Sequence, residues 1–420
     1  MNKLYVFYED KKVGDLIKDN ELIYSFKYDE HWLKNPNNFP LSFALPLTNE
    51  VFGNKSTLSF FENLLPEGNV LDALAGSEAL QDPFDFLKQF GQDCAGAINL
   101  SSKENPPPLL SPQEKVEINL SEINQAIDKN HSVAKVIAGH DPGYLSLAGA
   151  QDKFAAILES EKLFLPKGGA PTTHIVKVPI NRNGVKESVY NEYFCMQLAG
   201  AIGLEVPHTV VLNINPHPIF IIERYDRETK DSITHRLHQQ DFCQAQGIVS
   251  AYKYETRGGP SLKMNYQLIK KHVYAQRKKD NLFSFIDWVC FNLLIGNNDS
   301  HSKNISFLFK KKKVELAPFY DLLCTSIYPS LKREFSFMIG DRNDFSRIGK
   351  KQFEIAEDQM EIKRGTLSER MQLIHNEIMN KKASIVKQVN DECPNNKIVN
   401  RISSLIEDRS RSLKQQGIKL

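Results

Sequence analysis

The chain has 420 residues, of which 41% are hydrophobic and 25% charged, and 53 Lys and Arg stand against 51 Asp and Glu, for a formal net charge of +2. This composition excludes a chain that is disordered throughout, and the length predicts two or three domains. The near-neutral charge excludes a strong field that would draw the whole protein onto nucleic acid or membrane, although a local patch remains possible.

Cysteine spacing and hydropathy indicate the compartment. The six cysteines are widely separated and form no C-x-x-C pair, which is typical of reduced cysteines in a cytosolic protein and gives no metal-site spacing. The N-terminus lacks the apolar region of a signal peptide, and no segment approaches the roughly 18–20 uninterrupted apolar residues of a membrane span. We therefore expect a cytoplasmic protein with no membrane association.

The first 100 residues carry strand patterns followed by helical ones. LYVFY at residues 4–8 and ELIYSFKY at residues 21–28 predict strands, and LSFFENLL predicts a helix that ends at Pro66-Glu67-Gly68. A second helix is expected near residues 83–90. Four prolines in SSKENPPPLLSPQEK, residues 101–115, predict a linker or crossover after this domain, and a surface loop within one domain is the alternative.

The rest of the chain predicts a β-rich part and then a helical part. Residues 121–139 predict a helix, and FAAIL, KLFLP, HIVKVP, VVLNI and PIFIIER predict strands, with a helix over residues 191–204 between the third and the fourth. From Asp241 onward the pattern is mostly helical, interrupted by a hairpin at residues 305–319. The basic residues Arg409, Arg411, Lys414 and Lys419 predict a solvated C-terminal helix. The fold class is α+β, with expected domains 1–105, 106–225 and 226–420.

The strongest chemical signal is GNNDSHSKN at residues 296–304. An apolar helix runs into Gly296, a residue that commonly ends helices, and Asp299 and Asn304 then form the pattern D-x-x-x-x-N in one short loop. Protein kinases use this spacing for a base that receives the substrate hydroxyl proton and an amide that holds Mg²⁺. An Asn- and Asp-rich turn without chemistry is the alternative.

Asp321 follows the predicted hairpin in VELAPFYDLL. A carboxylate there matches the position of the kinase metal-binding Asp, although Tyr-Asp-Leu stands in place of Asp-Phe-Gly. A helix N-cap is the alternative for this residue.

Lys177 lies inside the apolar strand HIVKVP, where an ammonium is unfavourable without a partner. A lysine that contacts phosphates is one interpretation, with Glu192 at the start of the following helix as its ion-pair partner. A lysine that extends to solvent from an edge strand, and a Glu that only favours the helix dipole, are the alternatives.

Two further segments complete the pattern. SLAGAQDK, residues 146–153, follows a turn and precedes a strand, so its backbone N–H groups suit phosphates, although it has neither a G-x-G-x-x-G nor a Walker A spacing. PIFIIERYDR is similar to an interlobe hinge at Glu223, Arg224 and Tyr225, where backbone groups would contact adenine, and an exposed charged turn is the alternative. These features follow one another in the order found in kinases.

The same residues resemble the HipA toxin kinases of bacterial toxin–antitoxin modules. The resemblance rests on SLAGAQDKFAAIL, THIVKVP, NEYFCMQLA, ERYDR, GGPSL, GNNDSHSKN and LAPFYDLL, and on LSFALPL and FFENLLPEG near the N-terminus. It implies a two-lobed protein-kinase-like fold with an N-terminal β-rich subdomain and a helical C-terminal lobe. It also implies ATP- and Mg²⁺-dependent phosphorylation of protein serine or threonine, and in several family members the target is an aminoacyl-tRNA synthetase.

The resemblance further implies roles and partners. Asp299 would be the catalytic base, Asn304 and Asp321 the Mg²⁺ ligands, and Ser146 the autophosphorylated serine. The implied ATP-contacting residues are Ala148, Gly149, Ala150, Gln151, Asp152, Lys153, Lys177, Glu223, Arg224, Tyr225, His301, Ser302, Lys303, Asn304, Tyr320 and Asp321. A HipB-like helix-turn-helix antitoxin is the implied partner, and operator DNA would be bound only through the antitoxin complex.

Two other functions remain open from sequence. A small-molecule phosphotransferase on the same fold would also use an Asp…Asn loop and a later metal-binding Asp. The third possibility is a protein that binds an antitoxin and acts mainly in repression. Replacement of Lys177, Asp299 or Asp321 by a residue unable to perform its kinase role would indicate this function. All three residues are present.

Overall fold

The structure is a computed structural model that describes residues 2–75, 82–105, 114–140, 148–149, 151–167, 169–231 and 233–420. The chain divides into two compact units. The first unit comprises Met1–Pro179, Leu212–Ser250 and Leu308–Lys312, and the second comprises Ile180–Val211, Ala251–Phe307 and Lys313–Leu420. Each unit is described by itself.

The first unit begins with a small antiparallel sheet, in the strand order β3-β2-β1-β4. Its strands are β1 (Asn2–Tyr8), β2 (Lys11–Lys18), β3 (Tyr24–Tyr28) and β4 (Ile98–Ser101), and its helices are α1 (Glu30–Lys34), α2 (Asn54–Phe61), α3 (Asn69–Ala75) and α4 (Pro83–Phe90). Asp82 caps α4 by accepting hydrogen bonds from the backbone N–H groups of Phe84 and Asp85. The two predicted strands and the helix near residues 83–90 are confirmed.

A second sheet has the order β5-β7-β6-β8-β10-β9. The elements from Lys115 to Gln246 are β5 (Lys115–Glu117), α5 (Leu120–Asp128), α6 (Val133–His140), β6 (Lys153–Glu159), β7 (Lys162–Pro166), β8 (His174–Lys177), α7 (Ser188–Ala201), β9 (Thr209–Asn213), β10 (Pro218–Glu223), β11 (Arg227–Lys230), β12 (Ile233–Arg236), β13 (His238–Asp241) and α8 (Phe242–Gln246). The five predicted strands of this part are confirmed. The pair β11–β12 and strand β13 were not predicted.

The helix predicted over residues 121–139 is two helices, α5 and α6. Asn130 adopts a left-handed backbone conformation, with φ of 55°, which ends the first helix. The carboxylate of Asp152 then accepts hydrogen bonds from the N–H groups of Val133 and Ala134 at 2.6 and 3.0 Å, which caps the second helix. The single-helix prediction is wrong because this cap comes from a residue far along the chain.

The second unit is mainly helical. After α7 its helices are α9 (Leu262–His272), α10 (Ala275–Ile295), α11 (Lys350–Met360), α12 (Thr366–Glu392) and α13 (Ile398–Gln415). The later strands of the chain are β14 (Ser306–Lys310), β15 (Lys313–Leu316), β16 (Glu334–Ile339) and β17 (Arg342–Asp344). The hairpin β14–β15 is confirmed, whereas the short β16–β17 pair was not predicted.

Helix α10 lies at the centre of this unit. Its residues 285–295 are all buried, and it packs against α9, α12 and α13. It ends at Gly296, whose φ of 75° is left-handed, so the predicted helix stop is confirmed. The predicted solvated position of Arg409 on α13 is wrong, because its guanidinium is buried and its Nε donates to the C=O of Leu293 at 2.7 Å.

The six cysteines are buried and are free thiols in this structure. No helix within the described ranges is long and apolar enough to cross a membrane.

Candidate active site

The predicted site residues fall into two groups, one in each compact unit. The first unit contains the described part of the predicted phosphate loop, Lys177 and the predicted hinge, and the second contains the Asp299 loop and Asp321. Ser146 and Ala150 lie outside the described residues.

The described part of the phosphate loop is held by its own side chains. Lys153 donates from Nζ to the C=O of Ala148 at 2.5 Å, and Gln151 donates from Nε2 to the C=O of Val178 at 3.0 Å. The carboxylate of Asp152 caps α6, and burial raises its pKa. The side chain of Asp152 therefore fixes the loop to the protein.

Lys177 is directly opposite a second lysine. In the antiparallel pair β6–β8, Lys153 is the cross-strand partner of Lys177, so both side chains stand on the same face of the sheet. Lys177 is only 5% exposed. Two ammonium groups on one face of a sheet make that face attractive to anions.

The N-terminal motif LLPEG contacts the phosphate loop, which the sequence did not indicate. The backbone N–H of Glu67 donates to the C=O of Gly149 at 3.0 Å, and Pro66 forms a parallel β-bridge with Gly149. We call this contact the Glu67 clasp. It fixes one point of the loop to the N-terminal part of the same unit.

The predicted hinge segment is anchored inside the first unit by the side chain of Arg224. Arg224 is buried, and its guanidinium donates to Asp93, Asp226, Thr172 and the C=O of Cys94. Glu223 is exposed at the end of β10, and the hydroxyl of Tyr225 donates to Gln239. The side chain of Arg224 is therefore engaged inside the unit, which leaves main-chain atoms as the candidate contacts of this segment.

Arg224 belongs to a buried ion cluster around Asp93. Arg227 and Arg236 also donate to the Asp93 carboxylate, at 2.7 and 3.1 Å. Asp93 is fully buried, and although burial alone would raise its pKa, the three guanidiniums hold that pKa well below its usual value. Burial and the neighbouring Arg224 lower the pKa of Arg227 to about 10. A weak sequence signal for this cluster is Asp93 itself, which lies in a mainly apolar stretch.

The Asp299 loop is tightly closed on itself. Asn304 donates from Nδ2 to the C=O of Asp299 at 3.1 Å, and the N–H of His301 donates to the same oxygen at 3.0 Å. Ser302 is hydrogen-bonded to Asn265, and the C=O of Lys303 accepts from the Tyr320 hydroxyl at 2.7 Å. The structure therefore brings Asp299, Asn304 and Tyr320 together.

Asp321 lies beyond the end of β15 in a segment without regular structure. Its φ is 61°, and its C=O accepts from Nδ2 of Asn297 at 3.3 Å, which ties it to the Asp299 loop. Asp321 does not cap a helix, so that alternative is excluded. Burial and the charge of Lys253 hold the pKa of His301 well below its usual value, and the nearby Asp321 carboxylate opposes them.

Two residues that the sequence did not indicate support this arrangement. The side-chain amide of Asn191, on α7, makes two hydrogen bonds to the backbone of Cys324, at 2.7 and 2.9 Å, and so anchors the chain just after Asp321. The hydroxyl of Tyr254 donates to Oδ1 of Asp299 at 2.7 Å, and its ring meets that of His301 edge-on. The segment YKYETRGGP, residues 252–260, contains no motif that predicts this contact.

Asn304 in the Asp299 loop and Asp321 beyond β15 carry oxygen donors that fit Mg²⁺. Asp321 and Asn304 offer carboxylate and amide oxygens, the hard ligands that Mg²⁺ prefers. Because the Asn304 amide nitrogen donates to Asp299, its oxygen is directed away from that bond. No cluster of three or more His, Cys, Asp or Glu able to hold a metal occurs in the described ranges. Mg²⁺ typically needs only one or two carboxylates together with substrate phosphates.

Comparison with known proteins identifies the family. Residues 145–386 match the HipA-like C-terminal domain, which is more than half of the chain, and residues 4–101 match the HipA N-terminal domain. The chain belongs to the HipA family. HipA proteins include kinase toxins of toxin–antitoxin systems, as the names of its relatives state.

The relatives cover most of this HipA protein. It is 36% identical over 81% of its length to Y4mE of Sinorhizobium fredii, which is named as a kinase and is also covered to 81%. It is 29% identical over 81% of its length to the serine/threonine-protein kinase toxin HipA of Shewanella oneidensis, covered to 79%. The solved complex of Shewanella oneidensis HipA, HipB and operator DNA matches 99% of this chain and 100% of that one, with a TM-score of 0.83 and 25% identity.

These matches confirm the predicted fold and enzyme class. This HipA protein has the two-lobed, kinase-like α+β fold with an N-terminal β-rich subdomain and a helical C-terminal lobe. It is a serine/threonine kinase, and a kinase of this kind uses ATP.

Proposed function

We propose that this HipA protein is the toxin of a HipA/HipB-like toxin–antitoxin system. In this proposal it phosphorylates serine or threonine in a translation component such as an aminoacyl-tRNA synthetase, and so inhibits growth. The closed loop that joins Asp299 to Asn304, with Asp321 tied to it through Asn297, is the observation that supports phosphoryl transfer most directly.

Each residue has a distinct role in this proposal. The Asp299 carboxylate takes the proton of the acceptor hydroxyl while the hydroxyl oxygen bonds to the γ-phosphorus and the bond from that phosphorus to ADP breaks. Lys177 pairs with ATP phosphates, and a Lys177–Glu192 ion pair stays a prediction. Asn304 and Asp321 would hold Mg²⁺, which neutralises phosphate charge when bound.

The remaining predicted contacts surround ATP. The phosphate loop, residues 148–153, meets the phosphates through backbone N–H groups, and main-chain atoms of residues 223–225 meet adenine. His301, Ser302, Lys303 and Tyr320 fix the shape of the catalytic loop through their own hydrogen bonds and burial. His301 is buried in this loop, and burial together with the charge of Lys253 holds its pKa below the usual value.

Ser146 autophosphorylation tests the kinase reaction directly. A phosphoserine adds about −1.5 to −2 charge beside the phosphate loop, so it should lower ATP affinity. Intact-mass spectrometry after incubation with Mg²⁺-ATP should show one phosphate at Ser146 in the wild type and none in Asp299→Ala. Ser146→Ala should phosphorylate substrates without shutting itself off. If Ser146 stays unmodified while a substrate is phosphorylated, the self-inhibition is wrong.

Removing the Glu67 clasp should weaken ATP binding. Glu67→Pro deletes the N–H that donates to Gly149, whereas Glu67→Ala keeps it, so the two variants separate the hydrogen bond from the side chain. Loss of one hydrogen bond of about 1 kcal/mol should raise the Kd for ATP several-fold in Glu67→Pro. Calorimetric titration of both variants measures this. Equal ATP affinity in the two variants, with equal thermal stability, would show that the clasp does not support the loop.

The antitoxin complex should bind operator DNA much more tightly than this chain alone. The chain has a formal net charge of only +2, whereas DNA affinity depends on neutralising phosphates. In the Shewanella relative the operator is bound in a complex that contains HipB. A gel shift at physiological salt should show little retardation by the isolated chain and strong retardation with a HipB-like partner. Tight sequence-specific binding by the isolated chain would contradict this.

The physiological target can be found by phosphoproteomics after brief induction. The intact protein should add phosphate to one or a few translation components, and Asp299→Ala should add none. Phosphorylation of small metabolites alone would indicate the small-molecule phosphotransferase instead.

A further inference from the structure

Three cations surround the aromatic ring that contacts Asp299. The Nζ atoms of Lys253 and Lys332 lie 5.6 and 5.4 Å from the centre of the Tyr254 ring, and the guanidinium carbon of Arg257 lies at 5.6 Å. Arg257 and Lys332 are exposed, and Lys253 is partly exposed. We call Lys253, Arg257 and Lys332 the basic rim. It stands beside the carboxylate that the Tyr254 hydroxyl contacts at 2.7 Å.

The second unit holds the basic rim in place through the catalytic loop itself. Asn298, the neighbour of Asp299, donates from Nδ2 to the C=O of Lys332 at 3.0 Å, and its own C=O accepts from the Ser336 hydroxyl at 2.9 Å. The segment that carries Lys332 therefore has a fixed position beside the loop.

The turn that carries Lys253 and Arg257 is also fixed. The carboxylate of Glu255 accepts from the N–H of Met338 at 2.7 Å, and the N–H of Gly259 donates to the C=O of Tyr254 at 3.0 Å. A Cβ at Gly259 would lie 1.9 Å from the Tyr252 carbonyl oxygen, so the turn closes only with glycine at this position. The backbone that carries Lys253 and Arg257 therefore has a fixed conformation.

The rim keeps a net positive charge. Glu255 is the carboxylate inside the turn, and burial raises its pKa to about 7, so it offsets only part of the positive charge near neutral pH. Positive charge on this side of the loop attracts negative groups that approach Asp299.

We propose that the basic rim binds an acidic segment of the protein substrate that flanks the serine or threonine to be phosphorylated. The proposal rests on the kinase function above. The Tyr254 hydroxyl donates to Asp299 as an acceptor hydroxyl must, so it marks the position from which that hydroxyl approaches and is displaced when the substrate binds. Charge complementarity of this kind acts mainly on substrate selection and encounter.

A protein acceptor fits this position better than nucleic acid. The hydroxyl of Tyr254 contacts the Asp299 carboxylate, and the three rim cations are grouped around this single ring instead of forming a track along a surface. Acidic side chains within a few residues of the phosphorylated serine would reach all three.

Two generic protein acceptors test the proposal with the full chain. Dephosphorylated casein supplies serines among acidic residues, and myelin basic protein supplies them among basic ones. The test variant is Arg257→Glu combined with Lys332→Glu. The control, Lys414→Glu combined with Lys419→Glu, makes the same change in net charge at exposed positions of the same unit. Autophosphorylation measures the reaction that does not use the rim.

The wild type and the control should label casein more strongly than the basic acceptor. In the test variant the KM for casein should rise about tenfold with autophosphorylation unchanged, because each 1.4 kcal/mol of lost interaction is one factor of ten. Added salt should raise the wild-type KM and have less effect in the variant, because ions screen exposed charges. If the double variant is unstable, Arg257→Gln with Lys332→Gln should show a smaller rise in KM.

Other outcomes overturn the proposal. Equal labelling of casein by the wild type and the variant, a preference for the basic acceptor, or no labelling of either acceptor while autophosphorylation proceeds would each do so. Loss of binding to single-stranded RNA in the variant, with casein labelling intact, would assign the rim to nucleic acid. Absence of both autophosphorylation and labelling of either acceptor by the wild type would instead refute the kinase reaction on which the proposal rests.

Discussion

Asp299→Asn should lower kcat by about 10²–10⁴-fold, the range usual for loss of a general base. The substitution keeps the size of the side chain and an oxygen that can accept from the Tyr254 hydroxyl, so the loop should keep its shape. It removes the carboxylate that takes the acceptor proton. Affinity for Mg²⁺-ATP should stay within about twofold of wild type, because Asp299 is not a proposed metal ligand. Calorimetric titration measures the affinity for Mg²⁺-ATP, and single-turnover phosphorylation measures the rate of phosphoryl transfer.

Asp321→Ala is the contrasting variant. It removes a proposed Mg²⁺ ligand, so it should weaken Mg²⁺-ATP binding and abolish turnover, while nucleotide binding without Mg²⁺ changes little. The exposed Asp341, also in the second unit, gives a matched control as Asp341→Ala, which should change neither. Normal turnover in Asp299→Asn or in Asp321→Ala would refute the assigned roles.

Asp93→Asn should be among the most destabilising single substitutions in the first unit, by about 3–5 kcal/mol. Three buried guanidiniums, of Arg224, Arg227 and Arg236, would lose the carboxylate that they share. An uncompensated buried charge costs several kcal/mol because it has lost both water and partner. Urea unfolding, followed by Trp32 fluorescence in a Trp288→Phe background, reports on this unit, since the chain contains only these two tryptophans.

The pH dependence gives a second signature of Asp93. Its pKa is lowered in the folded chain, so its contribution is fully present above the ordinary pKa near 3.8 and is lost as the pH falls toward the lower folded value. The unfolding free energy of the wild type should therefore fall more steeply in acid than that of Asp93→Asn. Asp128→Asn is the control: Asp128 is 58% exposed beside His217, and its loss should cost less than about 1 kcal/mol. Similar stability losses in the two variants would show that the cluster contributes no more than a surface pair.

Local sequence determined the elements around the catalytic loop. Gly296 ends an apolar helix wherever that helix packs, because its left-handed conformation is available to glycine at little cost. The strand–turn–strand pattern at residues 305–319 and the spacing of Asp299 and Asn304 are also properties of a short stretch of chain. The order of these motifs along the chain then indicated a kinase, and the resemblance to HipA proteins indicated which family of kinases.

Only the tertiary structure decided which side chains meet across long stretches of sequence. Asp93 joins arginines more than 130 positions away, Tyr254 reaches Asp299, and Arg409 lies buried against the end of α10. The sequence predicted a solvated Arg409 and did not predict the buried ion cluster that contains Arg224, because the position of a charged residue along the chain does not show its future partner. Whether a charge is solvated or buried depends on the desolvation penalty and on the partners that packing supplies, and both are set by the folded chain as a whole.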